Sequence, residues 1–139
     1  MTVNEGTKSG VSHFFLNVLR IGAGLLFMQH GAQKLFGMFG FEMDVQPMTQ
    51  IWFAGVLEMW GGLLMVLGLF SRPLALLLAL EMVVAYVQAH IPRGLAPVVN
   101  GGELALLYML IWSFIAANGP GGFSLDGLIA ARCRASAAA

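Results

Sequence analysis

Four long apolar runs, each carrying ionisable residues, limit what this chain can become more than any other feature. A membrane-spanning helix needs ~20 residues to cross ~30 Å of hydrocarbon. The runs extend from about His13 to Gly37, Gln50 to Phe70, Pro73 to His90 and Gly101 to Asn118, and each is near that length. A charge at the bilayer centre costs at least ~2.5–3.5 kcal/mol. Yet Arg20, His30, Lys34, Glu58, Glu81, His90 and Glu103 fall inside these runs or at their ends. Such residues persist when they pair or face a polar cavity instead of lipid. The expected structure is an all-α integral membrane four-helix bundle. It is a single domain over residues 1–139, antiparallel and up-down in topology.

Composition excludes most alternatives. Apolar residues make up 58% of the chain and charged residues 10%, against ~45–50% and ~25% in soluble proteins. So few charges could not cover a soluble surface of this size, whereas lipid contact requires none. Seven basic and seven acidic residues balance, which leaves no electrostatic footprint for nucleic acid. Cys133 is the sole cysteine, so neither an intrachain disulfide nor a CxxC redox pair is possible.

Residues Met1 to Ser12 read as a polar, loosely ordered lead. The first apolar run exceeds the ~7–15 residues of a signal-peptide core. It also contains Arg20 and lacks a small-residue cleavage site, so it is read as a retained helix. Thr49 suits the N-cap of the second helix. Ser71-Arg72-Pro73 is a short connection, and proline is tolerated in a helix's first turn. Asn100 with Glu103 reads as a variant capping box. Gly119-Pro120-Gly121-Gly122 ends the fourth helix, and Asp126 to Arg134 reads as a short amphipathic piece before a fraying Ala-rich tail. Lys8, Arg72, Arg132 and Arg134 fall on one side of the bundle. Arg93 falls on the other, with Lys34 near that edge beside Glu42 and Asp44. The positive-inside rule then places both termini in the cytoplasm.

A rise of ~1.5 Å per residue gives each charge a depth. Arg20 and Glu81 lie ~10–12 Å from the cytoplasmic side with opposite charge, which predicts a structural ion pair. His30 and Glu58 match in depth nearer the outer side, with Lys34, His90 and Glu103 toward the edge. These five form the expected outer polar cluster. Helical phase at ~100° per residue puts Arg20, Gly24, Phe27, Gly31 and Lys34 on one face of the first helix. The same phase groups Ala54, Gly55, Glu58, Gly61 and Gly62 on the second, and Glu81, Ala85 and Gln88 on the third. Small residues beside charges are what close helix packing around polar groups requires. Glu103 is equally readable as a capping acid, and His90 as an interfacial residue.

His30-Gly31-Ala32-Gln33-Lys34-Leu35-Phe36-Gly37 resembles the HGxxKLFG signature of the DoxX family. Glu58 with Gly61-Gly62, Asn100-Gly101-Gly102-Glu103 with Tyr108, and Gly119-Pro120-Gly121 with Ser124-Leu125-Asp126 follow in order. The resemblance implies a four-helix bacterial inner-membrane protein. It also implies a link to quinones, because the family is named from the small subunit of an archaeal thiosulfate:quinone oxidoreductase.

A quinone headgroup needs donors to its two carbonyl oxygens, and reduction needs two protons. His30 and Lys34 can donate, and Glu58 and Glu103 can relay protons. An apolar slot would take the isoprenoid tail. The chain carries no flavin, nicotinamide or metal motif, so electrons would come from a partner redox protein or a bound cofactor. At most the chain is one subunit of a quinone-linked oxidoreductase. Two hypotheses therefore stand. The first is a redox-associated subunit binding a quinone or a similar apolar molecule at the outer cluster. The second is a non-enzymatic assembly partner or small transporter-like bundle, self-associating or not, whose charges only organise helices.

Overall fold

The computed structural model describes residues 5–40 and 44–137, with side chains from Gly10 onward. Glu42 and the side chain of Lys8, both used above for orientation, lie outside the described residues. Every regular element among the described residues is helical. Helix α1 spans Glu5–Phe36, α2 Gln50–Leu67, α3 Ser71–Arg93, α4 Pro97–Asn100, α5 Glu103–Asn118 and α6 Leu125–Ala137. Three of these, α1 (from Gly10), α2 and α3, are long and apolar enough to cross a membrane. Helix α5 is apolar but has 16 residues, shorter than expected.

Several boundaries move, each for a local reason. Helix α1 is already formed at Glu5, the first described residue, and takes up most of the polar lead, because extending a nucleated helix costs far less than starting one. Helix α2 stops at Leu67, before the expected Phe70, because Gly68 turns left-handed at φ 68°. The Leu69 N–H then bonds the Leu64 carbonyl and the Gly68 N–H bonds that of Met65, a Schellman termination. Thr49 caps α2 through the Trp52 amide, and Pro73 sits in the first turn of α3. The Asn100–Glu103 capping box does not form. Gly102 holds the N-cap position, while buried Asn100 accepts from the Gly102 amide at 2.8 Å and donates to the Gly94 carbonyl at 2.7 Å. Asn100 therefore ties the loop to itself instead of capping α5. Helix α6 runs past Arg134 into the alanines, the best helix formers.

Two π-helical turns interrupt the long helices, Leu57–Gly61 in α2 and Tyr86–His90 in α3. Each widens the helix and rotates the residues after it.

Helices α1 and α2 meet through glycines. A Cβ on Gly62 would lie 2.7 Å from the Gly24 carbonyl oxygen, and one on Gly31 would lie 2.7 Å from the Met59 Cα. Neither helix could approach so closely with larger residues. The inward faces expected of α1 and α2 are largely observed: Arg20, Gly24, Phe27 and Gly31 are buried, as are Gly55, Glu58, Gly61 and Gly62, while Lys34 and Ala54 on the same faces are half-buried. On α3 the core face is Ala75, Leu78, Ala79 and Met82, packed with Ala105, Tyr108, Trp112 and Ile115 of α5. The expected inward face, Glu81, Ala85 and Gln88, is instead only partly covered or exposed. Those residues line a groove described below.

Candidate functional site

Two polar centres organise the bundle, and they do different things. The first surrounds Arg20, which is 0% exposed. Its guanidinium donates to the Val66 carbonyl at 2.7 Å and the Pro120 carbonyl at 2.8 Å, and also to the carbonyls of Met65 and Phe123. Met65 and Val66 belong to the last turn of α2, whose carbonyls lack the usual i+4 amide partner, although Met65 also accepts from the Gly68 amide. Arg20 therefore caps α2 and binds the Gly119–Phe123 turn at once. Asp126 completes this centre by accepting from the Phe70 and Ser71 amides, each at 2.8 Å, at the start of α3. The expected Arg20–Glu81 ion pair is not formed. Among the described residues, the Arg20 hydrogen bonds all go to backbone carbonyls, and both Glu81 oxygens are buried without a hydrogen-bond partner.

The second centre is an open groove of about 740 Å³ between α2 and α3. Its apolar walls are Ile51, Phe53 and Leu57 from α2 and Leu77, Leu80 and Val84 from α3. Its polar lining is Lys34 from the last turn of α1, Gln50 and Glu58 from α2, and Glu81, Gln88 and His90 from α3. Lys34 donates to both oxygens of Glu58, whose residue is 3% exposed. Gln50 donates to Gln88 across one end of the groove.

Behind the Lys34–Glu58 pair lies a smaller chamber of about 220 Å³. His30 and Tyr108 line it, and Lys34, Glu58 and His90 line both spaces. The ion pair thus stands in the wall between the two. His30 meets the Tyr108 ring edge-on at 6.0 Å, and His90 stacks on Tyr86 at 6.0 Å. The His90 Nδ1 lies 3.1 Å from the Asn100 carbonyl.

Of the five residues expected in the outer cluster, the structure brings four together: His30, Lys34, Glu58 and His90. Glu103 is not among them. It stands exposed in the first turn of α5 and lines neither space. Glu81 joins the groove in its place. Both π turns border this groove, contributing Leu57 and Glu58 from one side and Gln88 and His90 from the other. Turns of this kind recur at functional sites because they re-aim side chains. No hydropathy or spacing signal marks them.

This arrangement can hold a ligand of several hundred cubic ångströms. The apolar flanks would take hydrocarbon, and the polar lining would take oxygen functions. The exposed edge residues Phe53, Leu77, Leu80 and Val84 make the walls continuous with the outer surface of the helices.

The DoxX family model matches residues 15–91, from within α1 to the end of α3. An uncharacterized protein of Haemophilus influenzae Rd is 40% identical over 121 residues, covering 81% of this chain and 89% of that protein. A Bacillus subtilis 168 protein named "Putative oxidoreductase CatD" is 28% identical over 116 residues, covering 81% of this chain and 84% of its own. No solved structure matches the chain. The family match takes in the His30–Gly37 segment, both walls of the groove and the Lys34–Glu58 pair. With more than half of its length matched, this membrane helical bundle belongs to the DoxX family.

Proposed function

We propose that this protein is a redox-associated DoxX-type subunit that binds a quinone or a similar apolar ring compound in the groove between α2 and α3. The observation that carries the reading is the groove itself: about 740 Å³, walled by aliphatic and aromatic side chains, with the Lys34–Glu58 pair set into its lining. Helix α3 contributes from Leu77 to His90, a length of ~20 Å along its axis. That accommodates a ring and the first part of a hydrocarbon tail. Lys34 and the His30 chamber supply donors and a route for protons. The name of the Bacillus subtilis relative agrees with a redox role. Electrons come from a partner protein or a bound cofactor. The chain lies in the inner membrane as an antiparallel up-down bundle of α1, α2, α3 and α5. Both termini are cytoplasmic, with Arg72, Arg132 and Arg134 on that side.

Native mass spectrometry of the detergent-purified protein, with and without added decyl-ubiquinone, tests this reading. A quinone adduct is expected, lost in Glu58→Gln and in Ala54→Trp, which fills the groove. An adduct retained in both variants refutes the site. Association with a second polypeptide and no quinone adduct would favour a non-enzymatic assembly role.

A further inference from the structure

The groove contains an unfilled valence. Gln50 and Gln88 bond each other, Lys34 and Glu58 bond each other, and His90 meets the Asn100 carbonyl. Glu81 is the exception among the polar residues that line it: both carboxyl oxygens are buried, and neither has a partner among the described residues. Removing a carboxyl group from water without a hydrogen bond is costly. A chain selected for stability alone would carry leucine here, as it does at the neighbouring wall positions Leu77 and Leu80. The position is also central. Glu81 lies one turn along α3 from Leu77 and about two turns from Gln88, between the apolar stretch and the glutamine tie.

Resting on the quinone-type reading above, we infer that Glu81 bonds directly to the ligand's ring oxygen, and that the Lys34–Glu58 pair serves as the polar wall behind it. A carboxyl group suits a ligand whose oxygen alternates between acceptor and donor. It accepts from a ring hydroxyl when ionised and donates to a ring carbonyl when protonated. The ligand class is therefore an aromatic head bearing a carbonyl or hydroxyl on a hydrocarbon tail. A plain hydrocarbon would leave Glu81 unbonded, and an anionic headgroup would meet Glu81 with the Lys34 ammonium already committed to Glu58.

The test measures decyl-ubiquinone affinity and thermal melting of the full-length protein in nanodiscs for wild type, Glu81→Leu, Glu81→Gln and Glu58→Gln. Glu81→Leu should weaken binding about two- to tenfold, the worth of one hydrogen bond donated by a neutral carboxyl to a ring carbonyl. It should melt at the wild-type temperature or above, because an unpartnered buried carboxyl is gone. Glu81→Gln, which keeps a donor and an acceptor, should recover most of the affinity. A merely structural Glu81 would instead lower the melting temperature and leave affinity unchanged in Glu81→Leu, and that result overturns the inference. If Glu81→Leu binds as wild type while Glu58→Gln does not, the quinone reading stands and the assignment to Glu81 falls. If wild type binds no quinone, both fall.

Discussion

Replacing Arg20 with alanine removes a guanidinium that donates to four carbonyls on two segments of chain. Those carbonyls belong to Met65 and Val66 at the end of α2, and to Pro120 and Phe123 in the turn after α5. Hydrogen bonds to a charged group contribute ~1.5–3 kcal/mol each, so four would give ~6–12 kcal/mol before desolvation. Burying the guanidinium costs several kcal/mol in return. Arg20→Ala should therefore destabilise by about 3–5 kcal/mol, the usual range when one partner of a buried charged network is removed. For a chain of this size that lowers the melting temperature by roughly 6–20 °C. Thermal melting in nanodiscs measures it, and hydrogen exchange should rise first in residues 119–127. Arg20→Lys should recover less than half, because one ammonium cannot span both segments. The decisive comparison is a double-mutant cycle with Glu81→Ala. Since Arg20 and Glu81 share no contact, their effects should add within ~0.5 kcal/mol. A coupling above ~1 kcal/mol would refute the reasoning and restore the ion pair.

Three further outcomes follow from contacts already described. A Cβ on Gly31 would press on backbone atoms, 2.7 Å from the Met59 Cα and 2.8 Å from the Gly55 carbonyl. Gly31→Ala should therefore cost about 1–3 kcal/mol in a melting assay, whereas Gly22→Ala, with nothing within 4 Å, should be neutral or stabilising by up to ~1 kcal/mol. Lys34→Met strands the Glu58 carboxylate and should cost about 3–5 kcal/mol. The double change Lys34→Met with Glu58→Met should recover that stability in the same assay without recovering quinone binding. Asp126→Ala removes the acceptor for the Phe70 and Ser71 amides. It should cost ~0.5–2 kcal/mol, seen as faster amide exchange at Ser71.

The inward faces of α1 and α2 were legible in the sequence because glycines and charges there keep helical phase. The outer cluster that holds both Lys34 and Glu58 was legible too, although depth matched Glu58 to His30 and set Lys34 nearer the edge, a gap that the long lysine side chain closes. Depth alone misled for Arg20 and Glu81. It fixes height along the bundle but not direction around it, and the core face of α3 runs through Leu78 and Met82. Pairing by side chain also overlooks backbone acceptors, which every residue carries and no letter marks. The motif Gly119-Pro120-Gly121 therefore read as a helix stop, although it also holds the Pro120 carbonyl that receives Arg20. The π turns left no trace because no hydropathy or spacing pattern sets Leu57–Gly61 or Tyr86–His90 apart from ordinary helix. Asn100 was misassigned because its side chain chose the Gly94 and Gly102 backbone over the start of α5.

Helix α5, with 16 residues, has a consequence for the lipid around it. Its axis is ~24 Å long, short of the ~30 Å hydrocarbon thickness that α1 can span with length to spare. In the four-span topology proposed above, the bilayer must thin on the α5 side, or acyl chains there must bend to meet the Pro97–Asn100 segment. Such hydrophobic mismatch costs a fraction of a kcal/mol per ångström, and here it is greatest on the α5 flank. Lipids with shorter acyl chains should therefore gather against α5, giving the protein a lopsided lipid collar. Its stability should then vary with acyl-chain length in reconstituted bilayers.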